Sequence, residues 1–77
     1  MESNLNAELS DYLKLLRFKA KLSQDEAAKK LKISRATYNK WENDPVDLDL
    51  NTIIKVGNVF NEDILIFFKE YATKCSK

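Results

Sequence analysis

The residues best equipped for chemistry sit in one run, Ser34-Arg35-Ala36-Thr37-Tyr38-Asn39-Lys40-Trp41-Glu42-Asn43. Arg35 and Lys40 bring positive charge and hydrogen-bond donors, Asn39 brings an amide that donates and accepts, and Ala36 offers a bare methyl. These are not the makings of a catalytic set. The chain has no histidine and a single cysteine, Cys75, which removes zinc clusters and Ser-His-Asp or Cys-His arrangements. One glycine in the whole chain leaves no glycine-rich phosphate loop. Recognition is the chemistry these residue types allow, and no enzymatic role, cofactor or metal is expected.

Charge points the same way. The 77 residues carry a net +1, yet the charges are segregated. Between Lys14 and Lys40 nine basic residues (Lys14, Arg17, Lys19, Lys21, Lys29, Lys30, Lys32, Arg35, Lys40) face only Asp25 and Glu26, a local excess of +7. Both flanks are net acidic. A basic middle between acidic ends is the footprint of a domain that meets a polyanion through one face.

The length implies one domain, 1–77, with ends expected to fray over residues 1–6 and 72–77. A hydrophobic share of 44% with 10% aromatics is enough for a core, and one glycine with one proline argues against the many turns of an all-β fold. The composition is all-α. The opening MESNLNAELSDY lacks the basic flank and apolar run of a signal peptide. Ile64–Phe68 falls far short of the roughly 20 apolar residues that span a bilayer. A cytoplasmic domain, away from membranes, is expected.

The elements that must position the run follow from periodicity and caps. Leu9, Leu13 and Leu16 mark a first amphipathic helix from about Ala7 to Lys19, capped by Asn4 or Asn6, with Phe18 off the stripe. Ser23-Gln24-Asp25-Glu26 is a capping box that opens a second helix ending at Leu31. Ser34 caps a third, Arg35 to about Glu42, which Pro45 stops. Asp49 caps a fourth, Leu50–Val59, with Leu50, Ile53, Ile54 and Gly57 expected to face the core. A fifth runs from about Asn61 or Glu62 to Tyr71.

Two short helices joined by a tight turn, residues 24–42, make a helix-turn-helix. At about 100° per residue, Tyr38 and Trp41 share one side of the third helix, while Arg35, Ala36, Asn39 and Lys40 share the other. The aromatics face inward and the hydrogen-bonding groups outward. That outer face suits a DNA major groove: arginine pairs with guanine O6 and N7, asparagine with adenine, and an alanine methyl with the thymine methyl. An ordinary solvated polar face would use the same residue types.

LKLLRFKAKLSQDEAAKKLKISRATYNKWEND, continued by LDLNTIIKVGNVFNEDILIFF, resembles the phage Cro/repressor type of helix-turn-helix, the XRE-like group, over roughly residues 9–68. The resemblance implies a five-helix, lambda-repressor-like domain that binds double-stranded operator DNA. It implies backbone contacts from Gln24, Ser34, Thr37, Asn43 and Arg17, and base readout by Arg35, Ala36 and Lys40, with Asn39 more marginal. It also implies that Arg17 on the first helix pairs with Glu42 at the end of the third. An incidental surface ion pair is the plainer account of those two charges.

Two departures stand out. Lys21 and Lys32 occupy positions where relatives often carry glycine in a left-handed conformation. The loop after the third helix offers Asp44, Asp47 and Asp49 where many relatives place basic residues, which predicts weaker, salt-sensitive binding. The fifth helix carries more apolar residues than one small core can take. Phe60, Ile64, Phe67 and Phe68 are therefore expected at a homodimer surface, unless the first helix covers them. The expected function is a small phage-type or mobile-element repressor that acts by operator occupancy. The alternative is a protein-interaction module, an antitoxin or a modulator of another regulator, working through the fifth helix.

Overall fold

The computed structural model describes residues 4–75, and among these the chain forms five α-helices and no strand. Helix α1 (Leu5–Lys19) starts where Asn4 Oδ1 accepts the Ala7 N–H at 3.1 Å. Asn6, the other candidate cap, serves elsewhere: its Oδ1 accepts the Val46 N–H at 3.0 Å and ties the loop after α3 to α1. Helix α2 (Gln24–Leu31) opens with both halves of the capping box. Ser23 Oγ accepts the Glu26 N–H at 3.1 Å, and Glu26 Oε1 accepts the Ser23 N–H at 2.8 Å.

Helix α3 (Arg35–Asn43) is capped by Ser34 and followed by a 3₁₀ turn, Pro45–Asp47. Helix α4 (Leu50–Val59) is capped by Asp49, and α5 spans Ile64–Cys75. The ends are more helical than expected: Leu5 and Asn6 belong to α1, and Ala72–Cys75 continue α5. Residues 1–3, 76 and 77 lie outside the described residues.

The start of α5 differs from the expectation for a backbone reason. Asn61 takes the left-handed conformation at φ 59° and ends α4, a role asparagine tolerates. The Glu62 N–H then closes on Gly57 O at 3.0 Å, and Asp63 Oδ1 accepts the Leu65 N–H at 3.1 Å as α5 begins.

Leu9, Leu13 and Leu16 of α1, Ala27 and Ala28 of α2, Tyr38 of α3, Ile53 and Val56 of α4, Phe60 and Ile64 form the buried core. The small side chains of Ala27 and Ala28 let α2 and α3 pack closely. Leu50 does not join this core. It stands at the first turn of α4, 56% exposed, whereas Ile53, Val56 and Gly57 are buried. Phe18 is also exposed, with the Arg17 guanidinium 4.9 Å above its ring.

Phe60 and Ile64, expected at a subunit surface, are core residues at 7% and 2% exposure. Ile64, the first residue of α5, packs against Gly57 of α4, and Phe60 closes the end of α4 over the same core. Phe67 and Phe68 are half-buried. Phe67 stacks on Tyr12 of α1 at 4.7 Å and meets Phe68 edge-on at 5.4 Å, so α1 covers much of the apolar excess. Leu65 and Ile66 form the outward apolar surface of α5. No helix among the described residues is long and apolar enough to cross a membrane.

Candidate nucleic-acid interface

The turn between α2 and α3 depends on Lys32, which adopts φ 61° and ψ 42°, a left-handed exit from α2. The Lys32 and Ile33 N–H groups close on Lys29 O and Ala28 O, and Ser34 then restarts the chain as the cap of α3. Its Oγ accepts the Thr37 N–H at 3.1 Å and donates to Thr37 Oγ1 at 2.9 Å. Both hydroxyls are thereby oriented at the start of α3.

The inner face of α3 is anchored by one carboxylate. Glu42 is 1% exposed, and its two oxygens accept four hydrogen bonds. Arg17 donates from Nε at 2.7 Å and from Nη2 at 3.3 Å, Gln24 from Nε2 at 2.8 Å, and Tyr38 from Oη at 2.9 Å. Arg17 Nη1 also donates to Leu22 O at 3.1 Å, so this one side chain joins α1, the turn before α2, and α3. Burial alone would raise the Glu42 carboxyl. The donors on Arg17, Gln24 and Tyr38 outweigh it and hold the group below the usual carboxylate range. Burial, then the Glu42 charge beside it, pushes the Tyr38 hydroxyl well up. The Arg17–Glu42 contact is therefore an enclosed hub, not a surface ion pair.

The outer face is free. Arg35, Ala36 and Lys40 are exposed, and among the described residues the Arg35 and Lys40 side chains have no protein partner. Asn39 is exposed but engaged: its Nδ2 donates to Gln24 Oε1 at 3.2 Å, and its Oδ1 accepts from Asn43 Nδ2 at 3.2 Å. Asn43 Nδ2 also donates to Asn39 O at 3.0 Å, which turns the donors of Asn43 back onto α3. Trp41 is half-buried against the core. The structure thus gathers Arg17, Gln24, Tyr38, Asn39, Glu42 and Asn43 into one bonded set, and leaves Arg35, Ala36 and Lys40 outside it.

The comparisons with known proteins bear on this arrangement. A family model described as helix-turn-helix matches residues 13–67, from the middle of α1 into α5. The chain belongs to the XRE-like helix-turn-helix family. No curated protein and no solved structure matches it. This helix-turn-helix family is one of DNA-binding transcription regulators and not an enzymatic family. The matched span contains both helices of the motif, the Glu42 hub and the whole of α4.

Sequence reasoning paired Arg17 with Glu42 but missed the bonds that add Gln24, Tyr38, Asn39 and Asn43 to the set. The Tyr38 hydroxyl was treated as part of an apolar side chain, although a buried tyrosine nearly always needs a hydrogen-bond partner. That requirement, with Glu42 four residues on, was the available signal. Asn39 and Gln24 carried no such signal, since fifteen residues separate them. Among the described residues no group of acids, cysteines or histidines could hold a metal.

Proposed function

We propose that this helix-turn-helix protein is a sequence-specific repressor of the small phage or mobile-element type, acting by occupying an operator. The observation that carries it is the division of α3. Its inner face is fixed by Tyr38 and the Glu42 hub, while Arg35, Ala36 and Lys40 stand outward with no protein partner. A helix held this way meets the major groove with little entropy left to lose. Arg35 and Lys40 supply base or phosphate contacts, Ala36 a thymine methyl contact, and Gln24, Ser34 and Thr37 the backbone contacts. Arg17 serves through the hub, since its guanidinium is already spent on Glu42 and Leu22.

Repression by a homodimer would place two such helices one DNA turn apart. Leu65 and Ile66, half-exposed on the outer side of α5, are the surface for that contact. The same surface supports a second reading, a protein-interaction module, because apolar residues on an outer helix face suit a protein partner equally well.

The deciding experiment is a titration of the DNA flanking its own gene at several salt concentrations, beside sedimentation of the free protein. The repressor reading expects affinity to fall steeply with salt, and Arg35→Ala to cost about 1–3 kcal/mol on the preferred site while relaxing preference there. Absence of salt-dependent binding would favour the protein-interaction module.

A further inference from the structure

Gln24, Asn39 and Asn43 form a chain of side-chain amides that runs outward from the buried Glu42, and all of its hydrogen bonds point one way. A carboxylate can only accept, so Gln24 must turn Nε2 toward Glu42, at 2.8 Å. Its Oε1 is then left to accept from Asn39 Nδ2 at 3.2 Å. Asn39 Oδ1 accepts in turn from Asn43 Nδ2 at 3.2 Å. Reversing any one amide would set two donors, or two acceptors, face to face. The charge on Glu42, held by Arg17 and Tyr38, therefore dictates the orientation of amides on two different helices.

The consequence falls on Gln24. Its Nε2 carries two hydrogens, and Glu42 takes only one of them. We infer that Asn39 is a positioning residue: by donating to Gln24 Oε1 it stops the amide from rotating, and it presents the second Nε2–H to an oxygen of the DNA backbone. Asn39 then contributes to DNA binding through Gln24 and not by touching a base. This inference rests on the DNA-binding reading above. It also accounts for a polar side chain on the outer arc of α3 that is turned along the protein surface toward α2.

A double-mutant cycle on Gln24→Ala and Asn39→Ala tests it, with a mixed-sequence duplex two turns long at low salt as the probe. A backbone contact is made on any sequence, so the operator is not needed. Asn39→Ala is expected to weaken binding about three- to tenfold, the scale of one ordinary hydrogen bond. In the Gln24→Ala background the same change should cost nothing further. Amide NMR of the free protein supplies a readout that does not involve DNA. The two Gln24 side-chain protons should be shifted from free-amide positions and slow to exchange with solvent in the native protein, and should move toward free-amide behaviour in Asn39→Ala while the backbone spectrum is kept. Losses that add across the cycle would mean that Asn39 touches DNA itself, and would overturn the inference while leaving the DNA-binding reading intact. An unchanged Gln24 signature in Asn39→Ala would overturn it as well. Failure of the native protein to bind any duplex would instead overturn the proposed function, and this inference with it.

Discussion

Replacing Glu42 by glutamine keeps the shape of the side chain and removes its charge. The native carboxylate accepts from four donor atoms, two on Arg17 and one each on Gln24 and Tyr38, at 2.7–3.3 Å. An amide accepts at only one of the two oxygen positions, so at least one donor pair must face an NH2 group. Tyr38 can turn its hydroxyl to accept, but a guanidinium cannot, and it stays charged. Stripping the partner from a buried ion pair costs about 3–5 kcal/mol. Arg17 keeps 12% of its side chain exposed and still donates to Leu22 O, which lowers the expected loss to about 2–4 kcal/mol.

A domain of this size has only about 4–11 kcal/mol of stability in total. Each kcal/mol moves Tm by about 4–8 °C at this length, so Glu42→Gln should lower Tm by about 8–32 °C. Thermal and urea unfolding followed by circular dichroism will measure it. The double variant Arg17→Met with Glu42→Gln separates an unpaired charge from general disruption, because it removes the cation too. It should be more stable than Glu42→Gln alone. A Tm loss under about 5 °C for the single variant, or simple addition in the double, would refute the hub as the anchor of α3.

Acid should act through the same carboxyl. A group held below its unfolded value, about 4.3 for glutamate, contributes its full stability above that value and loses it as pH falls through the folded one. Unfolding midpoints should therefore be level above about pH 5 and drop below about pH 4, and Glu42→Gln should flatten the drop, leaving the smaller shares of Glu26 and Asp49; coincident acid profiles for the two proteins would dismiss this. Lys32→Gly should gain about 1 kcal/mol in chemical denaturation by relieving a left-handed residue. Lys32→Ala should not, and a gain shared by both would point to charge instead of backbone. Gly57→Ala adds a Cβ 3.1 Å from Glu62 O and 3.1 Å from Ile64 Cβ, a bonded backbone segment and a buried side chain that cannot yield cheaply. Overpacking of about 1–3 kcal/mol should exceed the helix-propensity gain of about 1 kcal/mol, and a raised Tm would contradict it.

Local signals proved readable wherever the physics was local. Caps at Ser23, Ser34 and Asp49 and the proline stop at Pro45 depend on residues a few positions apart, and each element they bound was legible. The beginning of α5 was not, because it turns on Asn61 entering the left-handed region, and several other residue types near that point are compatible with helix. Phe60 and Ile64 were assigned to a surface for a related reason. Phe60 closes the end of α4 and Ile64 packs against Gly57, so their burial depends on how α5 folds back on α4, which a count of apolar residues does not carry. Phe67 shows the same limit from the other side, since only the approach of Tyr12 on α1 decides that it is covered.

At the interface the same residue types divide according to what lies behind them. Arg35, Lys40 and Asn39 look equivalent on a helical wheel, yet Gln24 claims Asn39, and the first two remain free. On the proposed reading this narrows base readout to Arg35, Ala36 and Lys40, and it moves the grip on the backbone toward α2. Asn43 illustrates why. Both donations of its Nδ2 go back to Asn39, so it would face a phosphate with a carbonyl oxygen unless it rotates. Asp44 and Asp47 beside it are exposed and repel the same phosphate. Attraction at the end of α3 is therefore weak, and on the proposed reading the grip on the backbone rests on Gln24 and the start of α3. A duplex bound this way is held chiefly from the starts of α2 and α3, which makes Arg35 and Lys40 stronger contributors to the salt dependence than any residue after Lys40.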